Sequence, residues 1–125
     1  MKRLIMDLDD TICSTTNGDY KNSVPDTDII RKMTEYREMG FTIAISTSRN
    51  MRTYNGDIGK INANTLPIII DWLRKYNVPY DEIIVAKPWC GMDGFYVDDK
   101  AIRPSEFKSK SYEEIAQLLS QEKKR

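Results

Sequence analysis

The chain has 125 residues, of which 40% are hydrophobic and 30% are charged, and 19 Lys and Arg residues balance 19 Asp and Glu residues. A neutral chain creates no net field toward nucleic acid or an acidic membrane, and its apolar runs are too short for a membrane span or a signal peptide. With only two cysteines, these properties exclude a disulfide-stapled or membrane-embedded protein and predict one cytoplasmic domain over residues 1–125.

The first half of the chain alternates between strand and helix patterns. Residues 2–6 predict a short buried strand, and the Asn-Gly pair at 17–18 predicts the turn of a small hairpin. A helix begins after the Pro-Asp pair at 25–26, carries apolar residues at helical spacing and ends at Gly40. Residues 41–45 form the next predicted strand, so two strands flank one helix in this half.

The second half continues this alternation. Its predicted elements are, in order, a polar loop at 50–63, a helix from Thr65 to the Val-Pro pair at 78–79, strands at 82–86 and 94–97, and a helix that begins with the capping box of Ser111 and Glu114. The order of elements predicts an α/β fold, built as a doubly wound, mostly parallel sheet with helices on both faces.

Polar side chains follow the ends of the predicted strands. They are Asp7, Asp9 and Thr11 after the first strand, Ser46 and Thr47 after the second, Lys87 after the third, and Asp98 and Asp99 after the fourth. Ligands of open α/β sheets bind beyond the carboxyl ends of the strands, so we expect these groups to meet at one site. The chain has no histidine, which excludes histidine nucleophile systems and histidine-ligated zinc. Carboxylates, a hydroxyl and a lysine instead suit Mg²⁺ and phosphoryl transfer.

The same residues resemble the motifs of a known family. The segment Asp-Leu-Asp-Asp-Thr at 7–11, Thr47, Lys87 and the Asp pair at 98–99 resemble, in that order, the four motifs of the haloacid dehalogenase (HAD) superfamily of phosphotransferases. The resemblance covers essentially the whole chain and implies a Rossmann-like HAD core. The short length and the segments Ser-Thr-Ser-Arg and Lys-Pro-Trp-Cys-Gly look most like the small capsular-polysaccharide biosynthesis phosphatases.

The resemblance implies catalytic and metal-binding roles for the acidic positions. Asp7 would be the nucleophile that forms an aspartyl-phosphate, and Asp9 would protonate the leaving oxygen and then deprotonate the attacking water. The cofactor would be Mg²⁺, held by Asp7, by the backbone carbonyl of Asp9 and by the pair Asp98 and Asp99. Which member of that pair contacts the metal directly stays open at this stage.

The resemblance also implies how the phosphoryl group is held. Thr47 and Lys87 would bind the phosphoryl oxygens, with Ser46 as the alternative hydroxyl if the strand ends one residue earlier. Asp10 departs from the family, because many members have Gly at this place. Arg49 has two open interpretations: it binds a second anionic group of the substrate, or it forms a surface ion pair.

The predicted function is hydrolysis of a phosphate monoester by a Mg²⁺-dependent phosphatase, with a sugar phosphate of polysaccharide biosynthesis as one candidate substrate. The intervals 12–40 and 49–80 each hold about one helix and one loop, so no sizeable cap domain is expected. Two other classes stay open: a phospho-accepting receiver-like module, which would need an Asp where Lys87 stands, and a catalytically silent scaffold. A small phosphorylated molecule is the expected partner, without nucleic acid or membrane, and the oligomeric state is left open.

Overall fold

A three-stranded parallel sheet forms the centre of the first part of the computed structural model, which describes residues 1–123. The strands are β1 (Arg3–Met6), β2 (Cys13–Ser14), β3 (Val24–Pro25), β4 (Thr42–Ser46) and β5 (Glu82–Ile84). The helices are α1 (Thr27–Glu38), α2 (Ile58–Lys60), α3 (Leu66–Lys75), α4 (Pro104–Ser109) and α5 (Tyr112–Ser120). The sheet has the order β1-β4-β5 with both pairs parallel, whereas β2 and β3 form the small antiparallel hairpin that the Asn-Gly pair predicts.

The central strand β4 is buried because its residues are apolar on both faces. Ile43, Ala44 and Ile45 are each no more than 1% exposed. A continuous apolar run of this kind is typical of a strand that is covered on both sides. Helix α1 adds Ile29 and Met33 to the core, four residues apart and therefore on one helical face. The apolar pattern of the sequence thus places the core around β4.

Helical backbone begins earlier than predicted before α3. Helix α2 begins at Ile58, where the Asp57 side chain accepts a hydrogen bond from the Lys60 amide at 3.2 Å, and a π-helical turn at Ile61–Thr65 leads into α3. Ile61 is completely buried. The prediction of a loop is therefore wrong for the second half of residues 50–63. One Asp cap and one buried isoleucine stabilise helical turns there, although the sequence shows no apolar periodicity.

The chain divides into two compact units, of which the second begins at Cys90. This second unit contains α4 and α5, and α5 begins at the capping box of Ser111 and Glu114 as the sequence predicts. Helix α4, whose first residue is Pro104, was not predicted, because only Phe107 is buried in its six residues and no periodicity is visible. The expectation of a single domain over residues 1–125 stays a prediction.

The predicted fourth strand at 94–97 is wrong for this chain. These residues belong to no strand within the described range, and Phe95 and Val97 are 79% and 88% exposed. A strand needs a neighbour that satisfies its backbone N–H and C=O groups, so residues of strong β-propensity alone do not make one. The sheet therefore has three strands, and the last of them ends at Ile84 rather than at Ala86.

The α/β class and the parallel arrangement of the sheet are confirmed. Within residues 1–123 no cap domain is seen, since the intervals after the first two strands of the sheet hold only the hairpin, short turns and helices α1 to α3. No helix in the described part of the chain has the length and apolar character that crossing a membrane requires.

Asp81 fastens the start of β5 to the middle of β4. Its carboxylate accepts a hydrogen bond from the Ile43 amide at 2.7 Å, and its own amide donates to the Ile43 carbonyl at 2.8 Å. Arg37 Nη2 lies 2.9 Å from the Asp81 carboxylate. The hydrogen bond from the Ile43 amide, followed by that from Arg37, lowers the pKa of Asp81 below its ordinary value.

This lowered pKa predicts a pH-dependent contribution to stability. Ionised Asp81 stabilises the fold above the pKa that the group has in the unfolded chain, and the contribution is lost as the pH falls through the folded-state pKa. We expect Asp81→Asn to lower the urea midpoint at neutral pH, and the difference from wild type to shrink toward about pH 3. Asp28→Asn, which removes only an exposed pair with Arg31, is the matched control. A loss that is equal at both pH values would contradict the assignment.

Candidate active site

Asp7 and Lys87 meet at the carboxyl end of the sheet. Asp7 follows the last residue of β1, and Lys87 lies three residues after the end of β5. Lys87 Nζ is 3.7 Å from Asp7 Oδ1, and the Thr11 hydroxyl donates to Asp7 Oδ2 at 3.1 Å. The Asp7 side chain is 38% exposed, so its carboxylate is accessible to a ligand while it is held from both sides. The structure thus brings two of the predicted site residues together.

The segment after β1 folds around one carbonyl oxygen. The carbonyl of Leu8 accepts hydrogen bonds from the amides of Thr11, Ile12 and Cys13 at 3.3, 2.9 and 3.3 Å. The side chains of Leu8 and Ile12 are completely buried, whereas Asp7 is partly exposed. Two apolar anchors and this tight turn fix the acidic residues of the segment at the surface.

The backbone conformation at Asp10 accounts for the residue type found there. Its φ is +60°, in the left-handed region that glycine adopts without strain and that Asp and Asn tolerate better than other residues. Its side chain is exposed, and its amide donates to the Cys13 carbonyl at 2.8 Å. The position requires a backbone conformation, and Asp supplies it where a glycine would be the usual choice.

Asp9 is held by a buried arginine. Arg49 Nε donates to Asp9 Oδ2 at 3.1 Å and Arg49 Nη2 donates to Asp9 Oδ1 at 2.9 Å, a two-pronged ion pair. The Arg49 side chain is only 2% exposed. The interpretation of Arg49 as part of a surface ion pair is therefore wrong, since the arginine is buried and its partner is a predicted catalytic residue that is one-third exposed. A charge in such a place must be paired to be tolerated.

Tyr20 completes the environment of Arg49 and was not predicted. The guanidinium carbon of Arg49 lies 4.2 Å from the centroid of the Tyr20 ring, within the range of a cation–π contact. Burial, followed by the charge of Asp9, raises the pKa of Tyr20 above its ordinary value. Arg49 Nη1 is buried and has no hydrogen-bond partner among the described residues. No spacing in the sequence relates these three residues, so only the fold could reveal the cluster.

The backbone of Thr47 joins the ends of β4 and β5. Its amide donates to the Ile84 carbonyl at 3.0 Å, and its carbonyl accepts from the Lys87 amide at 3.1 Å. Its side chain is buried, and the hydroxyl oxygen accepts a hydrogen bond from the Arg49 amide at 3.1 Å. Ser46, the alternative hydroxyl, is the last residue of β4 and is partly buried. The choice between the two as the phosphate ligand stays a prediction.

The backbone just before Lys87 is strained. Ala86 has a φ of +64°, a left-handed conformation that costs a residue with a β-carbon about 1–2 kcal/mol. This turn ends β5 two residues earlier than predicted and precedes the hydrogen bond between Lys87 and Thr47. Strain next to a charged residue at a strand end is typical of functional sites, where the surrounding structure holds an unfavourable conformation.

Cys13 lies beside Asp9 but is not a nucleophile at neutral pH. Its thiol lies 3.8 Å from Asp9 Oδ1 and 3.7 Å from the Leu8 carbonyl oxygen. Burial, and secondarily the charge of Asp9, raises the pKa of Cys13 to about 11. Because only the thiolate reacts, a thiol with this pKa stays inert and acts as a small packing residue.

Asp98 and Asp99 lie in the second unit, in an exposed turn. Asp98 Oδ1 accepts a hydrogen bond from the Lys100 amide at 3.2 Å. This bond, followed by a hydrogen bond from Asp99, lowers the pKa of Asp98 below its ordinary value, so the group is an anion at neutral pH. The convergence of this acidic pair with Asp7 stays a prediction.

The donor atoms of the first unit suit part of a magnesium shell. Asp7 offers a partly exposed carboxylate, and carboxylate and carbonyl oxygens are the ligands that Mg²⁺ takes alongside water and substrate phosphate. Among residues 1–123 no group of three or more His, Cys, Asp or Glu side chains is gathered for a metal. One or two protein carboxylates are enough for a magnesium ion that also binds phosphate, so the donor chemistry fits.

Comparison with known proteins gives a close structural match. The chain is similar to a structural-genomics target from Vibrio cholerae, whose crystal structure it matches with a TM-score of 0.96 at 59% identity, over 98% of this chain and 100% of that chain. The chain therefore belongs to the same protein family as this Vibrio cholerae target. No protein-family profile and no curated protein matches the chain.

More distant structures share less. A chain of the Pnkp1/Rnl/Hen1 complex has a TM-score of 0.54 at 20% identity, over 87% of this chain but only 34% of that chain, which shows a shared fold alone. A D,D-heptose 1,7-bisphosphate phosphatase from B. bronchiseptica, complexed with magnesium and phosphate, reaches a TM-score of 0.47 at 16% identity, over 76% of this chain and 56% of that chain. That similarity is too low to argue from.

The burial of Arg49 predicts an effect of this residue on stability. Arg49→Ala removes the partner of Asp9 and the group that packs on Tyr20, so we expect the free energy of unfolding to fall by about 2 kcal/mol. Arg52→Ala, three residues on and exposed, should change it by less than about 0.5 kcal/mol. Urea unfolding of the two variants measures the difference. Equal, small losses in both would show that the pair adds nothing to stability.

Proposed function

We propose that the chain is a HAD-type phosphatase that hydrolyses a phosphate monoester through a phosphorylated Asp7, with Mg²⁺ as cofactor. One observation carries the proposal: Asp7 lies at the carboxyl end of β1, partly exposed, with Lys87 Nζ 3.7 Å from one oxygen and the Thr11 hydroxyl on the other. The two contacts orient the carboxylate and set a positive charge beside it, where a phosphoryl oxygen would bind. The resemblance of four ordered motifs supports the same assignment.

The first chemical step belongs to Asp7. One carboxylate oxygen attacks phosphorus, a new oxygen–phosphorus bond forms, and the bond from phosphorus to the leaving oxygen breaks. Asp9 gives its proton to that leaving oxygen. Both Asp9 oxygens accept hydrogen bonds from Arg49 in this structure, so one oxygen must turn from Arg49 to the substrate before the proton moves.

The second step returns the enzyme to its starting state. Asp9, now a carboxylate, takes a proton from water, and the resulting hydroxide attacks the phosphorus of the acyl phosphate. The bond between phosphorus and Asp7 breaks and inorganic phosphate leaves.

Charge sets the need for further cations. A phosphate dianion next to the Asp7 carboxylate is repelled by about 4 kcal/mol for each pair of like charges 4 Å apart at an effective dielectric of 20. Lys87 supplies one positive charge, and Arg49 is already committed to Asp9. When bound, Mg²⁺ would supply the remaining charge and polarise the phosphoryl oxygens; Asp7, the Asp9 carbonyl and the Asp98–Asp99 pair would hold it.

The short intervals after β1 and β4 bear on the class of substrate. The intervals after β1 and β4 hold only the hairpin, short turns and helices α1 to α3, so neither interval inserts a cap domain. An open site suits a bulky or polymer-linked phosphate, and the resemblance to the small capsular-polysaccharide phosphatases points to a sugar phosphate.

The nucleophile is tested by replacing Asp7. We expect Asp7→Asn to fold normally and to lose hydrolysis of p-nitrophenyl phosphate, because the amide cannot form the acyl phosphate. Asp10→Asn changes an exposed neighbouring carboxylate and is the matched control, with activity close to wild type. Phosphate release in Mg²⁺, repeated with EDTA, gives the rates. Wild-type rates in Asp7→Asn would refute the assignment of Asp7 as the nucleophile. Slow phosphorylation of the wild-type chain without turnover would favour a receiver-like module.

The acid role of Asp9 has a distinct kinetic signature. Asp9→Asn keeps a hydrogen-bond acceptor for Arg49 but has no proton to give, so hydrolysis of an alkyl or sugar phosphate should fall by about 10²–10⁴. The loss should be smaller for p-nitrophenyl phosphate, whose leaving group needs little protonation. The ratio of kcat/KM for the two substrates is the measurement. The same loss on both would assign Asp9 to positioning alone.

A further inference from the structure

A short hairpin carries Tyr20 to the buried Arg49. Strands β2 and β3 of the hairpin pair in the antiparallel direction, and Tyr20 begins the short helical turn at Tyr20–Asn22 that precedes β3. The guanidinium carbon of Arg49 lies over the Tyr20 ring, 4.2 Å from its centroid. Tyr20, Arg49 and Asp9 all belong to the first unit of the chain. The cluster that they form is therefore internal to this unit.

Ser23 fixes the position of Tyr20 from the core side. Ser23 is 1% exposed, and its hydroxyl donates to the Tyr20 carbonyl at 3.0 Å. Trp72 of α3 donates from Nε1 to the Ser23 carbonyl at 2.9 Å, and the hydroxyl oxygens of Thr15 and Ser23 are 2.7 Å apart. Buried polar groups that satisfy one another in this way make a segment rigid. The Tyr20 ring therefore offers Arg49 a fixed surface.

The guanidinium of Arg49 has few other restraints. Its Nε and Nη2 donate to the two carboxylate oxygens of Asp9, and Nη2 also lies 3.9 Å from the Cys13 sulfur. Nη1 has no hydrogen-bond partner among residues 1–123. An arginine side chain has several rotatable bonds, so a guanidinium held only by Asp9 could move together with Asp9. The ring of Tyr20 supplies a second, independent contact.

This second contact matters at the moment when Asp9 acts as the acid. Asp9 can reach the leaving oxygen of the substrate only after one of its carboxylate oxygens has turned away from Arg49. One hydrogen bond of the two-pronged pair is then lost, and the other must direct the carboxylate. It can do so only if the guanidinium itself stays in place. Accurate placement is important because an error of about 1 Å in the position of a catalytic group can slow a reaction by about a hundredfold.

We propose that Tyr20 is a positioning residue for Asp9. Its ring holds the Arg49 guanidinium while one Asp9 oxygen turns to the leaving oxygen, so Tyr20 aids protonation of the leaving group without contacting the substrate. This inference rests on the proposed function for the role of Asp9 as the acid. A cation–π contact of ordinary strength corresponds to about a tenfold change in rate.

The decisive experiment compares phenyl phosphate with p-nitrophenyl phosphate, which have the same ring but differ in the basicity of the leaving group. The ratio kcat/KM reports the steps up to departure of the leaving oxygen, where the acid acts. Tyr20→Leu removes the ring and should lower kcat/KM about tenfold for phenyl phosphate and less than about twofold for p-nitrophenyl phosphate. Tyr20→Phe keeps the ring and should behave as wild type. An equal loss on both substrates, or no loss, would overturn the proposal.

Asn22→Ala is the matched control in the same turn. It removes an exposed hydrogen bond to Asp19, 2.9 Å long, and leaves the Tyr20 ring in place, so it measures what a weakened hairpin does by itself. The relative kcat/KM of the two substrates should stay at the wild-type value. A change as large as that of Tyr20→Leu would contradict a specific role of the ring. If Tyr20→Leu does not fold, Tyr20→Met provides a second variant without a ring.

A double-mutant cycle tests whether Tyr20 acts through Arg49. Arg49→Met keeps a long unbranched side chain but has no guanidinium. In this background Tyr20→Leu should change the relative kcat/KM of the two substrates by less than about twofold, because the contact that it removes is already gone. A change of about tenfold in both backgrounds would mean that Tyr20 acts on the substrate itself, which would overturn the positioning role.

A measurement without activity separates this inference from the proposed function. By NMR of the isotope-labelled chain, the Arg49 Nε–H should exchange with water slowly in the wild type and in Tyr20→Phe, and about tenfold faster in Tyr20→Leu. If exchange depends on the ring but the wild type releases no phosphate, Tyr20 still holds Arg49 and the phosphatase is refuted. An active enzyme in which Tyr20→Leu changes neither exchange nor the comparison of substrates would refute the inference and leave the phosphatase intact.

Discussion

The backbone of Thr47 is the point on which the geometry of the site depends. Its amide and carbonyl hydrogen-bond to Ile84 and Lys87, so the ends of β4 and β5 are locked in register. This pair of hydrogen bonds continues past the last regular residue of β5 and spans the strained turn at Ala86, and Lys87 reaches Asp7 from there. Buried backbone N–H and C=O groups must form hydrogen bonds, and here those bonds place the charge of Lys87.

Much of this arrangement follows from the sequence, because strand ends and caps are local signals. The apolar run at 41–45 and the capping box at Ser111 each lie within a few residues, and both elements are where the pattern predicts them. The meeting of Asp7 and Lys87 was predicted by one general rule, that parallel strands share a carboxyl edge. The rule needs no knowledge of side-chain packing.

The parts that sequence reasoning missed depend on contacts between distant residues. Tyr20, Arg49 and Asp9 meet only because the hairpin and the end of β4 are brought to the segment after β1. An arginine followed by polar residues resembles a surface residue in any local window. The strand prediction at 94–97 is wrong for the opposite reason. The β-propensity of these residues is clear, but a strand also requires a neighbouring strand, which propensity does not specify.

Charge balance connects these observations to the need for a metal ion. In the first unit Asp7 faces Lys87 and Asp9 faces Arg49, so the two cations balance the two carboxylates and do not offset the added charge of a phosphate dianion. A metal ion must restore the balance, and a metal ion requires further carboxylates.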